Sequence, residues 1–158
     1  MNELTHIGAA GDARMVDVSD KEITERLARA TGNIRMRPDT LAAIQNATVA
    51  KGDVIAVARV AGILAAKRTA ELIPLCHQLP LTDVQITLTP DVALPGLRCE
   101  ATVRTTGRTG VEMEAITAVA VSLITVYDMA KAMDREMSIC DVCLQEKSGG
   151  RSGQWRRG

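Results

Sequence analysis

Aromatic side chains are almost absent from this sequence of 158 residues: Tyr127 and Trp155 stand alone, and there is no Phe. The stacking platforms that grip unpaired bases cannot be built from so few rings. A basic excess is missing as well. Lys+Arg and Asp+Glu both number 19, so the formal charge is zero, which argues against a duplex-binding surface. No apolar run approaches the ~20 residues of a membrane span, because Arg59 breaks the longest candidate. The opening MNELTHIGAAGDAR lacks the apolar core of an export signal, so a cytoplasmic location is expected.

Cysteine is sparse too. Cys76, Cys99, Cys140 and Cys143 are expected as reduced thiols in that compartment. Cys140 and Cys143 have C-x-x-C spacing, but no second such pair exists and the only histidines are His6 and His77. A strand or its end is the better reading than a metal or redox centre, and no metal site is expected.

What remains is an ordinary globular balance, 46% hydrophobic and 24% charged, in a length that fits one domain. Lysine is the informative residue. Arg dominates the basic set, and the only lysines are Lys21, Lys51, Lys67, Lys131 and Lys147. A lysine retained in an Arg-biased chain is a candidate for what Arg cannot do, such as proton transfer by an amine of lowered pKa.

Along the chain, residues 1–13 are polar and glycine-containing and read as a flexible N-terminal segment. Residues 14–147 read as a single domain, and 148–158, rich in Gly and Ser, as a flexible tail. Met15–Ser19 reads as a short extended segment and Ile23–Met36 as a strand. Pro38 opens a short helix to about Asn46. Asp53 is placed to cap a second, largely buried helix running to about Arg68. Leu75-Cys-His-Gln-Leu-Pro80 is irregular. Thr82–Thr89 and Leu97–Thr106 alternate as strands, Gly107–Gly110 turns, Val111 to about Met133 is a long helix, and Met137–Leu144 is a last strand. The order β-α-β-β-α-β, with one extra helix, predicts an α+β ferredoxin-like fold: an antiparallel sheet with helices on one face.

Three stretches carry polar residues this fold does not need. They are Leu75-Cys76-His77, Gly110-Val-Glu112-Met-Glu114 and Asp128-Met-Ala-Lys131. Asp128 and Lys131, at i and i+3, share a helix face; they read as a surface ion pair or as an acid–base couple. Glu114 and Asp128 also point within roughly 40° of each other around the helix, yet lie about 21 Å apart along it. One straight helix cannot bring both to a small molecule, but two antiparallel copies about a two-fold axis can. Glu146-Lys147-Ser-Gly-Gly-Arg-Ser-Gly153 reads either as a solvated tail or as a basic lid for phosphates, and it is not a Walker A loop.

Taken together and in this order, four segments resemble the MoaC family of molybdenum cofactor biosynthesis, the cyclic pyranopterin monophosphate synthases. They are ARMVDVSDKEIT, KGDVIAVARVAGILAAKRTAELIPLCHQLPLT, ATVRTTGRTGVEMEAITAVAVSLITVYDMAKAMD and LQEKSGGRSG. The resemblance implies a lyase that converts a cyclised dihydro-GTP to cyclic pyranopterin monophosphate and releases pyrophosphate. It implies Asp128 as catalytic acid/base with Lys131 beside it. Leu75, Cys76, His77, Met113 and Glu114 then contact substrate, and Lys51, Glu112 and Lys147 complete the pocket. Asp17 and Lys67 lie in similarly recognisable segments. It also implies a homohexamer, a trimer of dimers with intersubunit pockets, and no bound cofactor, with Mg2+ accompanying the triphosphate left open. Gln78 stands where a proline is usual and Arg151 where a lysine is usual. Two rivals remain: a non-catalytic ligand-binding module, and a structural oligomer in which Asp128–Lys131 is only an ion pair.

Overall fold

The computed structural model describes residues 11–158. Most of the N-terminal segment read as flexible, and His6, lie outside the described residues. The strand expected between Ile23 and Met36 is β1, Thr24–Arg35. Its alternation turns Ala28, Ala30, Gly32 and Ile34 to the core. Met15–Ser19 forms no strand; it belongs to an irregular stretch preceding β1.

After β1 come three helices: α1 (Pro38–Gln45), α2 (Val54–Lys67) and the single turn α3 (Thr69–Leu72). Asp53 caps α2 as expected, its carboxylate accepting the Ala56 backbone N–H at 2.9 Å. β2 (Leu81–Asp91) and β3 (Gly96–Gly107) form a hairpin. Its turn is held by Asp91, which accepts the backbone N–H groups of Ala93 and Leu94.

Next is α4, Glu112–Ala130, three residues shorter at its C-terminal end than the sequence suggests. Its buried stripe, Ala115, Ala118, Val119, Ser122, Leu123, Val126, Met129 and Ala130, follows the helical period. Contrary to the sequence expectation, α4 is long and apolar enough to cross a membrane by composition; it is apolar because it packs on the sheet and on α2.

The last strand, β4 (Ser138–Ser148), runs four residues past the expected end at Leu144. The segment read as a flexible tail turns at Gly149 and Gly150, both with positive φ, and Trp155–Arg156 (β5) pairs back on Glu146 and Lys147. The sheet order is β2-β3-β1-β4-β5, with every pair antiparallel. This is the expected ferredoxin-like arrangement with a two-residue strand added at one edge.

The helical layer sits close to the sheet because small residues line it. A Cβ on Gly32 would lie 2.7 Å from a Val119 methyl, and one on Gly62 would overlap Ser122 Oγ and approach the Ala118 carbonyl at 2.9 Å. A core with no Phe fills its volume by bringing backbones together.

Candidate active site

α4 carries one cluster of functional side chains at each end. At the C-terminal end, Asp128 projects from the last turn and Lys131 follows at the cap. Lys51 arrives from the loop between α1 and α2. The Lys131 ammonium donates to Asp128 Oδ1 at 2.7 Å, and the Lys51 ammonium donates to Oδ2 and to the Asp128 backbone carbonyl, both at 2.9 Å. The two ammoniums, Lys131 foremost, pull the Asp128 carboxyl down to about 2. Asp128 in turn raises the pKa of Lys131. The expectation of a lysine with lowered pKa therefore does not hold for Lys131: the carboxylate beside it stabilises the ammonium. The trio is a fixed carboxylate between two acids, with one net positive charge.

The loops around this cluster are tied by Asp134, a buried carboxylate. It accepts the backbone N–H of Arg37 at 2.8 Å and of Glu136 at 3.0 Å. The end of α4 is thereby fastened to the start of α1.

At the N-terminal end, Glu112 and Glu114 occupy the first turn of α4, where the helix dipole favours negative charge. Glu112 pairs with Lys147 of β4 at 2.8 Å. Glu114 is 3% exposed; one of its oxygens accepts the Cys76 thiol at 3.6 Å and the other has no partner. Burial raises the Glu114 pKa. Burial, with Glu114 adjacent, pushes the Cys76 thiol up to about 11, so it stays a thiol and a donor. His77 is held by Nε2 at 2.7 Å from the Val16 carbonyl. Asp17, next in sequence, has its pKa lowered by two hydrogen bonds from Ser19. Met113, between Glu112 and Glu114 in α4, is exposed, and Leu75 is half-buried.

Lys67 joins neither cluster. It ends α2 in a groove with Leu79, Thr82 and Asp83. Among the described residues no group of three or more His, Cys, Asp or Glu is placed to hold a metal ion. Cys140 and Cys143 lie in β4, as read from the sequence.

Two basic residues were missed, Lys21 and Arg26. With Arg151, part of the segment read as a basic lid, they line a cleft of about 400 Å³ that adjoins a smaller one bounded by Gly110, Glu112, Lys147 and Gly149. Lys21 stands out in the sequence only as one of five lysines. Arg26 had a signal: it shares the strand phase of Ala28, Ala30 and Ile34, so an arginine was bound for the interior. The unpartnered Glu114 oxygen and the basic cleft suit a ligand with N–H donors at one end and anionic groups at the other.

Relatives from Dinoroseobacter shibae, Chloroflexus aurantiacus and Thermomicrobium roseum, each named cyclic pyranopterin monophosphate synthase, are 59%, 60% and 59% identical to this chain. The alignments cover 98–99% of this chain and 95–98% of theirs. The model of the MoaC family matches residues 15–150, taking in both clusters at the ends of α4 and the glycine turn after β4, and the chain belongs to the MoaC family.

Proposed function

We propose that this chain is a cyclic pyranopterin monophosphate synthase, a lyase of molybdenum cofactor biosynthesis acting in the cytoplasm on 3',8-cyclo-7,8-dihydro-GTP. The observation that carries this is identity of about 60% over nearly the whole length to relatives of that name. The side-chain chemistry supports it. Ring opening and reclosure need proton donors and an acceptor at close quarters. Lys51 and Lys131 supply two ammoniums, each within 3 Å of the Asp128 carboxylate.

Forming the cyclic phosphate joins a sugar hydroxyl oxygen to the α-phosphorus while the bond to pyrophosphate breaks. The hydroxyl proton leaves to a base, and pyrophosphate departs as an anion. Lys21, Lys147 and Arg151 offer cationic charge to the triphosphate. The free oxygen of Glu114, beside Cys76 and His77, suits the N–H edge of a guanine-derived ring.

The two clusters cannot serve one substrate within one chain. Fourteen residues of helix part Glu114 from Asp128, about 21 Å. Pairing of two chains about a two-fold axis joins the N-terminal cluster of one to the C-terminal cluster of the other. α2 offers an apolar face for such assembly, since Val57, Val60 and Leu64 are 45–56% exposed at helical spacing. A homohexamer, built as a trimer of such dimers, is the assembly the reading assigns.

The test is to incubate purified protein with the cyclised dihydro-GTP and follow pyranopterin and pyrophosphate. Release of both in equal amounts is expected. Binding without turnover would turn the reading to a ligand-binding module.

A further inference from the structure

Arg26 is 8% exposed and carries a full charge into the interior, yet both its hydrogen bonds go to backbone carbonyls. Nε donates to Gly107 at 3.4 Å and Nη2 to Arg108 at 3.3 Å, both in the turn that leads into α4. The opposite side of the guanidinium is covered by the turn after β4. A Cβ on Gly150 would collide with Nη1 and lie 2.7 Å from Nη2; one on Gly149 would lie 3.0 Å from Arg26 Cδ. Both glycines have positive φ, +100° and +71°, so the chain passes over the arginine in a conformation other residues resist.

The two turns share a further consequence. One introduces Glu112 and the other follows Lys147, and those side chains meet at 2.8 Å beside the basic cleft. The neighbouring loop is drawn in as well: Arg108 donates to the carbonyls of Ser19 and Lys21, and Arg151 to that of Asp20.

We propose that Arg26 is a positioning residue: its buried guanidinium latches the turn before α4 to the glycine turn after β4, and so sets Lys147 and Glu112 for the pyrophosphate end of the ligand. Charge alone does not make the latch. A lysine presents one compact ammonium, whereas the planar fork reaches two carbonyls along one edge and supports a glycine turn on the other. The proposal rests on the functional reading above for the identity of the anion, but its test does not need turnover.

The experiment measures pyrophosphate binding by calorimetry, together with KM and kcat, in wild type, Arg26→Lys, Gly150→Ala, Lys147→Ala and the Arg26→Lys/Lys147→Ala double variant. Gly150→Ala keeps every charge and drives a methyl into the Arg26 guanidinium, and as a turn substitution it leaves the core intact. It and Arg26→Lys are each expected to weaken pyrophosphate binding by about tenfold to a hundredfold, as for loss of a charged hydrogen bond. KM should rise more than kcat falls. The double variant should bind no worse than Lys147→Ala alone, because the latch acts through Lys147. Wild-type binding in Gly150→Ala, or losses that multiply in the double variant, would overturn the proposal. Wild-type protein that binds pyrophosphate but converts no substrate would instead strike the functional reading.

Discussion

The Lys51 ammonium touches Asp128 twice, at the carboxylate and at the backbone carbonyl, although 77 positions separate them in sequence. The carbonyl belongs to the last turn of α4, where helix carbonyls lack intrahelical partners. Lys51 therefore caps the helix and charges the site with one amine. The pairing seen from sequence, Asp128 with Lys131, is local; the pairing that fixes the carboxylate's second oxygen comes from the fold.

Asp128→Asn is expected to lower turnover by about 10²–10⁴-fold, the usual worth of an acid–base group. The side chain is exposed, so thermal unfolding and assembly should stay near wild type. A folded variant converting substrate at the normal rate would remove Asp128 from the chemistry.

The carboxyl of Asp128 should titrate with a midpoint of about 2 by carbon-13 NMR. In Lys131→Met the midpoint should move upward, toward the ordinary aspartate value near 3.9. A depressed carboxylate keeps its ion pairs above its ordinary pKa and loses them as pH falls through the folded value. The trio is thus fully paired at neutral pH and comes apart only in strong acid.

Glu114→Gln should abolish most turnover yet stabilise the unliganded protein at alkaline pH. Burial raises the Glu114 pKa, so folding favours the neutral form. Below the ordinary glutamate pKa both states are protonated and nothing is lost. As pH rises past it the unfolded chain ionises freely while the folded one resists, and stability falls. The Tm gain of Glu114→Gln should therefore grow as pH rises above the ordinary glutamate pKa of about 4. A Tm difference independent of pH would mean that burial does not raise the Glu114 pKa.

If the site is shared between chains, mixing inactive Glu114→Ala and inactive Asp128→Asn proteins should restore activity after subunit exchange. One pocket of a mixed pair receives both defects and the other none. Heterodimers demonstrated by mass spectrometry but without activity would place the site within one chain.

Gly62→Ala should destabilise by about 1–3 kcal/mol, the cost of overpacking, because its methyl would run into Ser122, Ile86 and the Ala118 carbonyl. Chemical denaturation measures it. An unchanged midpoint would mean α2 and α4 separate freely.

The order of elements was legible because strand and helix periods differ, and because Asp53, Pro38 and Gly107–Gly110 mark boundaries chemically. The end of β4 was not. Glu146-Lys147-Ser148 has no apolar alternation, and it is strand because β1 lies alongside: Leu27, Ala28 and Arg29 pair with Ser148, Lys147 and Glu146. The same strand is irregular where its register slips opposite Arg29/Ala30 and Thr31/Asn33, and Asp141 has φ +56°. Of the site, Asp128, Lys131, Glu112 and Glu114 stood out as polar residues on one helix. Lys21 and Arg26 did not, since their place in the cleft depends on two turns brought together from the far end of the chain.

The small residues between α4 and its neighbours have one more effect. Ala115, Ala118 and Ala130, with Gly32 and Gly62 facing the helix, own no χ angles, and Val119 and Val126 own one apiece. Ordering such side chains costs almost no rotameric entropy, where longer ones cost up to about 2 kcal/mol each. Little side-chain freedom is surrendered when α4 docks, and little is left to fluctuate afterwards. The helix that holds an ionised carboxylate at one end and a buried acid at the other is therefore seated largely among groups with few rotamers to adopt.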